Sequence, residues 1–229
     1  MTMKDKKRLA VFDLDHTLLP LDSDFSWGQF TTRLGWTDPH EFIRRNDVFY
    51  EQYKAGTLNI HEYIRFATEA VRRQGPARAL AARDQYMEEV IAPAILPQAL
   101  DLLQRHRSAG EELLIITATN EFVTAPIAER LGVQHLIAVG LERDSQGPEG
   151  WITGEIRGVP SFREGKVTRF NDWLTERGLA REAVEVTFYS DSINDLPLMD
   201  NADHPVATNP DDRLRNVART RGWPILELF

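Results

Sequence analysis

The chain reads as an α/β protein: a doubly wound parallel sheet, with a helical cap inserted after the first strand and a small β-hairpin. Three observations predict this. Short apolar runs beginning at Leu9, Glu112, Leu136, Val184 and Pro205 alternate with helical stretches, the pattern of strands joined by crossover helices. From Asp22 to Ile91 the periodicity is helical and no strand pattern interrupts it. Between Leu141 and Val159 the alternation breaks into a turn-rich run with hairpin character.

In order, Leu9–Phe12 is a buried strand. The insertion follows: Phe42, Phe49 and Tyr53 recur at helical spacing, as do Ile60, Tyr63, Ile64 and Ala67, with Gly56 and Gly75-Pro76 as stops. Pro93 and Pro97 mark the return. Ala99–His106 is helical, Glu112–Thr117 a second strand, Phe122–Leu131 a helix and Leu136–Val139 a third strand. Gly147-Pro148 turns the expected hairpin. Lys166–Arg177 is helical and Val184–Tyr189 a fourth strand. A helix near Leu196–Asp200, a strand at Pro205–Ala207 and a helix over Asp211–Arg221 complete the pattern. Residues 1–20 and 92–229 are expected to form the core domain, and 21–91 the cap.

The 229 residues are 42% hydrophobic and 27% charged, enough for one large core and a subdomain. The net charge of −8 argues against a nucleic-acid surface. With no cysteine, disulfides, thiol nucleophiles and thiolate metal sites are excluded. The basic N-terminus precedes too short an apolar run for a signal peptide, and no stretch approaches a membrane span. A cytoplasmic monomer or homodimer is the expectation, with no membrane partner.

The first strand runs into Asp13-Leu14-Asp15-His16-Thr17. Two close carboxylates persist when a cation neutralises them or one stays protonated; a plain solvated acidic turn is the competing reading. Three further places share the character. Thr117 closes the second strand, Lys166 opens a helix, and Asp191 and Asp195 follow the fourth strand. Parallel strands bring such ends to one edge. Aspartates, a hydroxyl and a lysine converging there suit phosphoryl transfer, with a hard divalent cation, Mg²⁺, on oxygen ligands. Asp191 and Asp195 could instead cap the helix that follows, and Lys166 alone would pass as a solvated residue. An EF-hand reading fails, because Leu196 occupies the position that needs glycine.

Asp13-x-Asp15-x-Thr17, Thr117, Lys166 and Asp191-x-x-x-Asp195 resemble, in order and spacing, the four motifs of the haloacid dehalogenase-like (HAD) phosphatases. The insertion and the hairpin resemble those of the phosphoserine phosphatase branch. The resemblance implies that Asp13 is the nucleophile and a Mg²⁺ ligand. It makes Asp15 the general acid and base, with its carbonyl on the metal. Thr117 and the Ala118 N–H would bind phosphate oxygens, and Lys166 would neutralise charge beside Asp13. Asp191 would ligate the metal, and Asp195 would support Lys166 or a metal-bound water. Thr17 is expected to fix its own loop through local hydrogen bonds. In the cap, Asp22 would read a substrate amine and Arg65 its carboxylate, with Asp24, Arg44 and Arg45 as competitors. Two departures from the branch stand out: Thr117-Ala118-Thr119-Asn120 and Ser190 replace runs that typically carry glycine.

The function so implied is hydrolysis of a small phosphate monoester through an aspartyl phosphate. Phosphoserine leads as substrate and histidinol phosphate follows. The rivals are a phosphotransferase or mutase, a receiver-like phospho-aspartate domain and an idle binding protein. A receiver lacks the acid two residues after the nucleophile and lacks a large cap.

Overall fold

The computed structural model describes residues 6–145 and 150–229. Its elements follow the predicted order. Strand β1 (Lys7–Phe12) leads into the cap helices α1 (Ser23–Arg33), α2 (Pro39–Ala55), α3 (Ile60–Ala67), α4 (Glu69–Gln74) and α5 (Pro76–Tyr86). A π-turn, Met87–Ile91, and the short α6 (Ala92–Ala94) carry the chain back to α7 (Pro97–Ser108). Then come β2 (Glu112–Asn120), α8 (Glu121–Arg130), β3 (His135–Val139), and the hairpin β4 (Leu141–Arg143) and β5 (Ile152–Ile156). Helix α9 (Glu164–Glu176), β6 (Val184–Ser190), α10 (Leu196–Met199), β7 (His204–Thr208), α11 (Asp212–Arg221) and β8 (Ile225–Leu226) complete the described fold. The expected Gly147-Pro148 turn lies outside the described residues.

The main sheet has six strands in the order β3-β2-β1-β6-β7-β8, and all its pairings are parallel. The chain winds outward from β1 through β2 and β3. It then returns to the other side of β1 and winds outward again through β6. That reversal is the crevice where doubly wound sheets bind ligands. Register decides what reaches it. Phe12 pairs with both Ile115 and Tyr189, so Asp13, Thr117 and Asp191 all fall just past the paired rows. Strand β8 was not expected. Two residues after Pro224 are too short a run to show a period, and only pairing with β7 defines them as a strand.

Both faces of the sheet are covered, which is why the strands read as continuous apolar runs. Along β1, Leu9 and Val11 pack into the cluster with Phe170, Leu174 and Leu214, while Ala10 and Phe12 pack into the opposite one. The second cluster runs on into the cap without a break. Its centre is Trp27, which meets Phe30, Trp36 and Tyr86 within the cap and Phe122 on α8 at 5.9 Å. Only 2% of Trp27 is exposed, so this ring fastens cap to core. Among the described residues no helix is long and apolar enough to cross a membrane.

The cap also docks through the C-terminal end of α2. Carbonyls there lack helical partners and carry partial negative charge. Donors from the core meet them: Asn194 Nδ2 donates to the Tyr53 carbonyl at 3.2 Å, Arg213 to Lys54 at 2.7 Å and Arg163 to Gly56 at 2.7 Å. The Tyr53 hydroxyl lies 2.8 Å from Ser192 Oγ, beside the acidic loop after β6.

Candidate active site

Four separated segments converge at the crevice. Asp13 follows β1 and is anchored by its own N–H, which donates to the Tyr189 carbonyl at 2.9 Å. Lys166, in the first turn of α9, is fully buried and reaches back into the acidic cluster. Its Nζ donates to Asp13 Oδ1 at 2.6 Å and to Asp195 Oδ2 at 2.7 Å. A buried ammonium persists only when paired and hydrogen-bonded, and here two carboxylates hold it charged. Burial works to lower its pKa, but Asp13 and Asp195 outweigh that and raise it.

Asp15 is held differently. Its Oδ1 accepts from the Ser23 N–H at 2.9 Å, and its Oδ2 accepts from the Thr119 hydroxyl at 2.8 Å. Burial is the main cause that pushes its carboxyl up to about 7, with the Asp22 charge adding to it. That range suits a group that must both give and take a proton near neutrality. Asp13 is raised to about 8, chiefly by burial and despite Lys166, and Asp191 is raised as well, again chiefly by burial. Thr117 Oγ1 accepts from the Thr119 N–H at 3.1 Å, which frees its proton for an oxygen ligand. The Thr117 carbonyl accepts from Ser161 Oγ at 2.6 Å, pinning the strand end.

The structure brings together Asp13, Asp195 and Lys166 by direct contacts, and it ties Thr117 to Asp15 through Thr119. Other expectations need correction. Asp195 commits one oxygen to both Lys166 and Ser190, whose Oγ donates at 2.7 Å. That oxygen positions the lysine, the supporting role expected of Asp195 beside metal ligation. Thr17 is fully buried and does more than fix its loop: its hydroxyl points at Asp191 Oδ1, 3.4 Å away. Asp22 caps α1, accepting from the Asp24 and Phe25 N–H groups at 3.0 and 2.8 Å. Arg65 pairs with the hairpin. Its guanidinium grips Glu155 of β5 through two bonds of 2.7 and 2.8 Å, and half of its side chain is exposed. The bidentate fit expected for a substrate carboxylate is thus spent on the hairpin.

Thr119, Ser161 and Ser190 were missed as positioning residues. Two of them stand in the runs that depart from the glycine-rich pattern, and that was the available signal. Ser161 carried none, because its role depends on a loop folding over β2. Ser190→Ala is expected to lower kcat about 3- to 10-fold with little change in KM, since it removes one hydrogen bond from the Asp195–Lys166 pair. Steady-state kinetics on an aryl phosphate would check this, and an unchanged kcat would deny Ser190 that role.

Asp13 and Asp191 offer carboxylates to a hard cation, and the Asp15 carbonyl an oxygen. Among the described residues no group of three or more His, Cys, Asp or Glu side chains is arranged to hold an ion. The chemistry nonetheless fits Mg²⁺, which binds through one or two carboxylates and keeps waters. One buried cation, Lys166, faces Asp13 and Asp195 directly, with Asp191 beside them. Burial is the main cause that raises Asp13 and Asp191, and the neighbouring Asp195 charge adds to it.

A parallel sheet reversing at β1, with a carboxylate pair, a hydroxyl and a buried lysine at the reversal, has the groups that phosphoryl transfer needs in an α/β protein. The family model described as haloacid dehalogenase-like hydrolase matches residues 10–200, and the chain belongs to that family. It is 41% identical over 221 residues to a histidinol-phosphatase of Neisseria meningitidis serogroup C (strain 8013), covering 96% of this chain and 98% of that one. Two solved structures are similar. A Bordetella pertussis Tohama I protein of unknown function has a TM-score of 0.90 and 46% identity, covering 98% of this chain and all of the other. A substrate-bound phosphoserine phosphatase has a TM-score of 0.64 and 16% identity, covering 98% and 94% of the two chains, and shares the fold.

Proposed function

We propose that this chain is a Mg²⁺-dependent phosphomonoester hydrolase that works through an aspartyl phosphate on a small amino-acid or amino-alcohol phosphate. The carrying observation is the Lys166 ammonium bridging Asp13 and Asp195 while Asp15, two residues on, is held by Thr119 and Ser23. The activities named for its relatives, on histidinol phosphate and phosphoserine, support the substrate class.

In this reading the substrate phosphate lies against Thr117 Oγ1 and the Ala118 N–H, with Lys166 alongside. Lys166 occupies Asp13 Oδ1, so Oδ2 attacks phosphorus. The bond from phosphorus to the alcohol oxygen breaks, and Asp15 gives that oxygen its proton. Asp15, now ionised, takes a proton from a water that attacks the same phosphorus. The acyl phosphate opens, and Asp13 and inorganic phosphate are released. Mg²⁺, held by Asp13, Asp191 and the Asp15 carbonyl, would supply charge neutralisation on the phosphoryl oxygens. The cap, docked through Tyr53 and Trp27, excludes bulk water and macromolecular substrates.

Free-phosphate release from p-nitrophenyl phosphate tests the reading. Chelation of divalent cations should lower turnover at least about 100-fold, and added Mg²⁺ should restore it. Turnover indifferent to the chelator would remove the metal. Phosphoryl transfer to added alcohols, with no free phosphate, would favour a phosphotransferase.

A further inference from the structure

The chain turns from β7 into α11 through Asn209-Pro210-Asp211, three residues outside the segments that carry the chemistry. They join two loops that do carry it. Asn209 Nδ2 donates to the His16 carbonyl at 2.8 Å, one residue past Asp15. The Asp211 N–H donates to the Asp191 carbonyl at 2.8 Å, and Asp211 Oδ2 accepts from the Ile193 N–H at 3.0 Å. One turn therefore clasps the loop after β1 at one end and the loop after β6 at the other.

Each clasp is itself held. Asn209 Oδ1 accepts from the Leu228 and Phe229 N–H groups at 2.6 and 3.2 Å, and the Asn209 N–H donates to the Leu226 carbonyl at 2.8 Å. Two donors on the oxygen fix which way the amide faces, so its nitrogen is the end that meets His16. Asp211 Oδ1 accepts from the Leu214 N–H at 2.7 Å and caps α11. Pro210, buried between them, has no N–H and a fixed φ, which stiffens the turn. Left-handed backbone stands on both sides of the first clasp: φ is +57° at His16 and +43° at Asn209. Such conformations persist where the surroundings over-determine them, and they gather at functional sites.

The pairing of β1 with β6 ends at Phe12 and Tyr189, and one more backbone bond, from the Asp13 N–H to the Tyr189 carbonyl, follows at 2.9 Å. Past it the two loops approach through Thr17 Oγ1 and Asp191 Oδ1, at 3.4 Å. Outside them lies an open cleft bordered by His16, Asp191, Asn209 and Asp211, so hydrogen bonds rather than close packing hold the loops on that side. These loops offer the Asp15 carbonyl and the Asp191 carboxylate to Mg²⁺. That ion demands near-ideal octahedral geometry with oxygens at about 2.0–2.1 Å, so its binding depends on how its ligands are spaced.

We propose that Asn209-Pro210-Asp211 sets the spacing of those two oxygens and is a positioning element for the metal. The inference rests on the Mg²⁺-dependent reading above and adds residues that act through His16 and Asp191.

The test titrates Mg²⁺ alone, by calorimetry, into metal-free wild type, Asn209→Gly, Asp211→Asn and Asp212→Asn. Glycine accepts a φ of +43° without strain, so Asn209→Gly deletes the clasp and keeps the turn. Asp211→Asn keeps the shape and the helix cap but turns an amide N–H₂ toward the Ile193 N–H. Asp212→Asn makes the same change in charge one residue on, away from either clasp. The Kd for Mg²⁺ should rise about 10-fold in Asn209→Gly and in Asp211→Asn, and less than about 2-fold in Asp212→Asn. On p-nitrophenyl phosphate the half-saturating Mg²⁺ concentration should rise in step, and excess Mg²⁺ should bring kcat back to within about 3-fold of wild type. A turn that only stabilised the fold would leave the Kd unmoved. An unchanged Kd in Asn209→Gly, or Asp211→Asn binding no more weakly than Asp212→Asn, would overturn that clasp while leaving the phosphatase intact. A loss of turnover that excess Mg²⁺ does not restore would overturn the assignment too. Asp211 is exposed, so Asp211→Asn carries the test even if Asn209→Gly folds poorly. Wild type that neither binds Mg²⁺ nor hydrolyses the ester would remove the phosphatase reading as well.

Discussion

Asp13→Asn should reduce phosphatase turnover by at least about 1,000-fold while the protein stays folded. The amide has the shape of the carboxylate but no negative oxygen to attack phosphorus, so the first displacement is lost. Its stability effect has a definite sign. Burial raises the Asp13 carboxyl from its ordinary 3.8 to about 8. In metal-free protein the folded state therefore holds a proton that the unfolded chain has already released. Stability falls as pH rises between about 4 and 8, and the unfavourable ionisation is fully present above that window. Asp13→Asn removes that pH dependence, so the difference in melting temperature between variant and wild type should move in the variant's favour as pH rises from about 4 to 8 in chelator. Melting by circular dichroism at both pH values checks the second claim. Retained turnover would remove residue 13 as nucleophile.

The other large effect belongs to Lys166→Met. The variant matches the aliphatic stem but deletes the charge that Asp13 and Asp195 share at 2.6 and 2.7 Å. Removing one partner of a buried ion pair is destabilising by about 3–5 kcal/mol, because the remaining charges are left uncompensated. For a domain of this size that corresponds to a melting temperature lower by about 6–20 °C. Activity should fall at least about 100-fold, since the phosphoryl charge loses its protein cation. Adding Asp195→Asn should recover part of the stability and none of the activity. That split is the informative result: recovery of both would make Lys166 a purely structural group, and an unchanged melting temperature would refute the charge accounting.

The acidic pairs, the hydroxyl and the lysine were legible because each sits at the end of an element with a clear apolar period. A parallel sheet then leaves little choice about where those ends meet. The residues that hold them in place were harder to see. Thr119 and Ser190 are small polar residues whose roles depend on the distance to Asp15 and Asp195. Arg65 shows what spacing leaves out: its position in sequence fits a carboxylate reader, while α3 packs beside β5 and Glu155 holds its fork.

By itself the sequence determined the α/β class, the helical insertion and the chemistry at the strand ends, because periodicity and local carboxylate spacing need no knowledge of distant neighbours. Only the tertiary structure decided which charge pairs with which. Arg45 takes Glu69 and Arg65 takes Glu155 from segments distant in the chain, and the outcome turns on distances of a few ångströms. No pattern along the chain records the result of that competition.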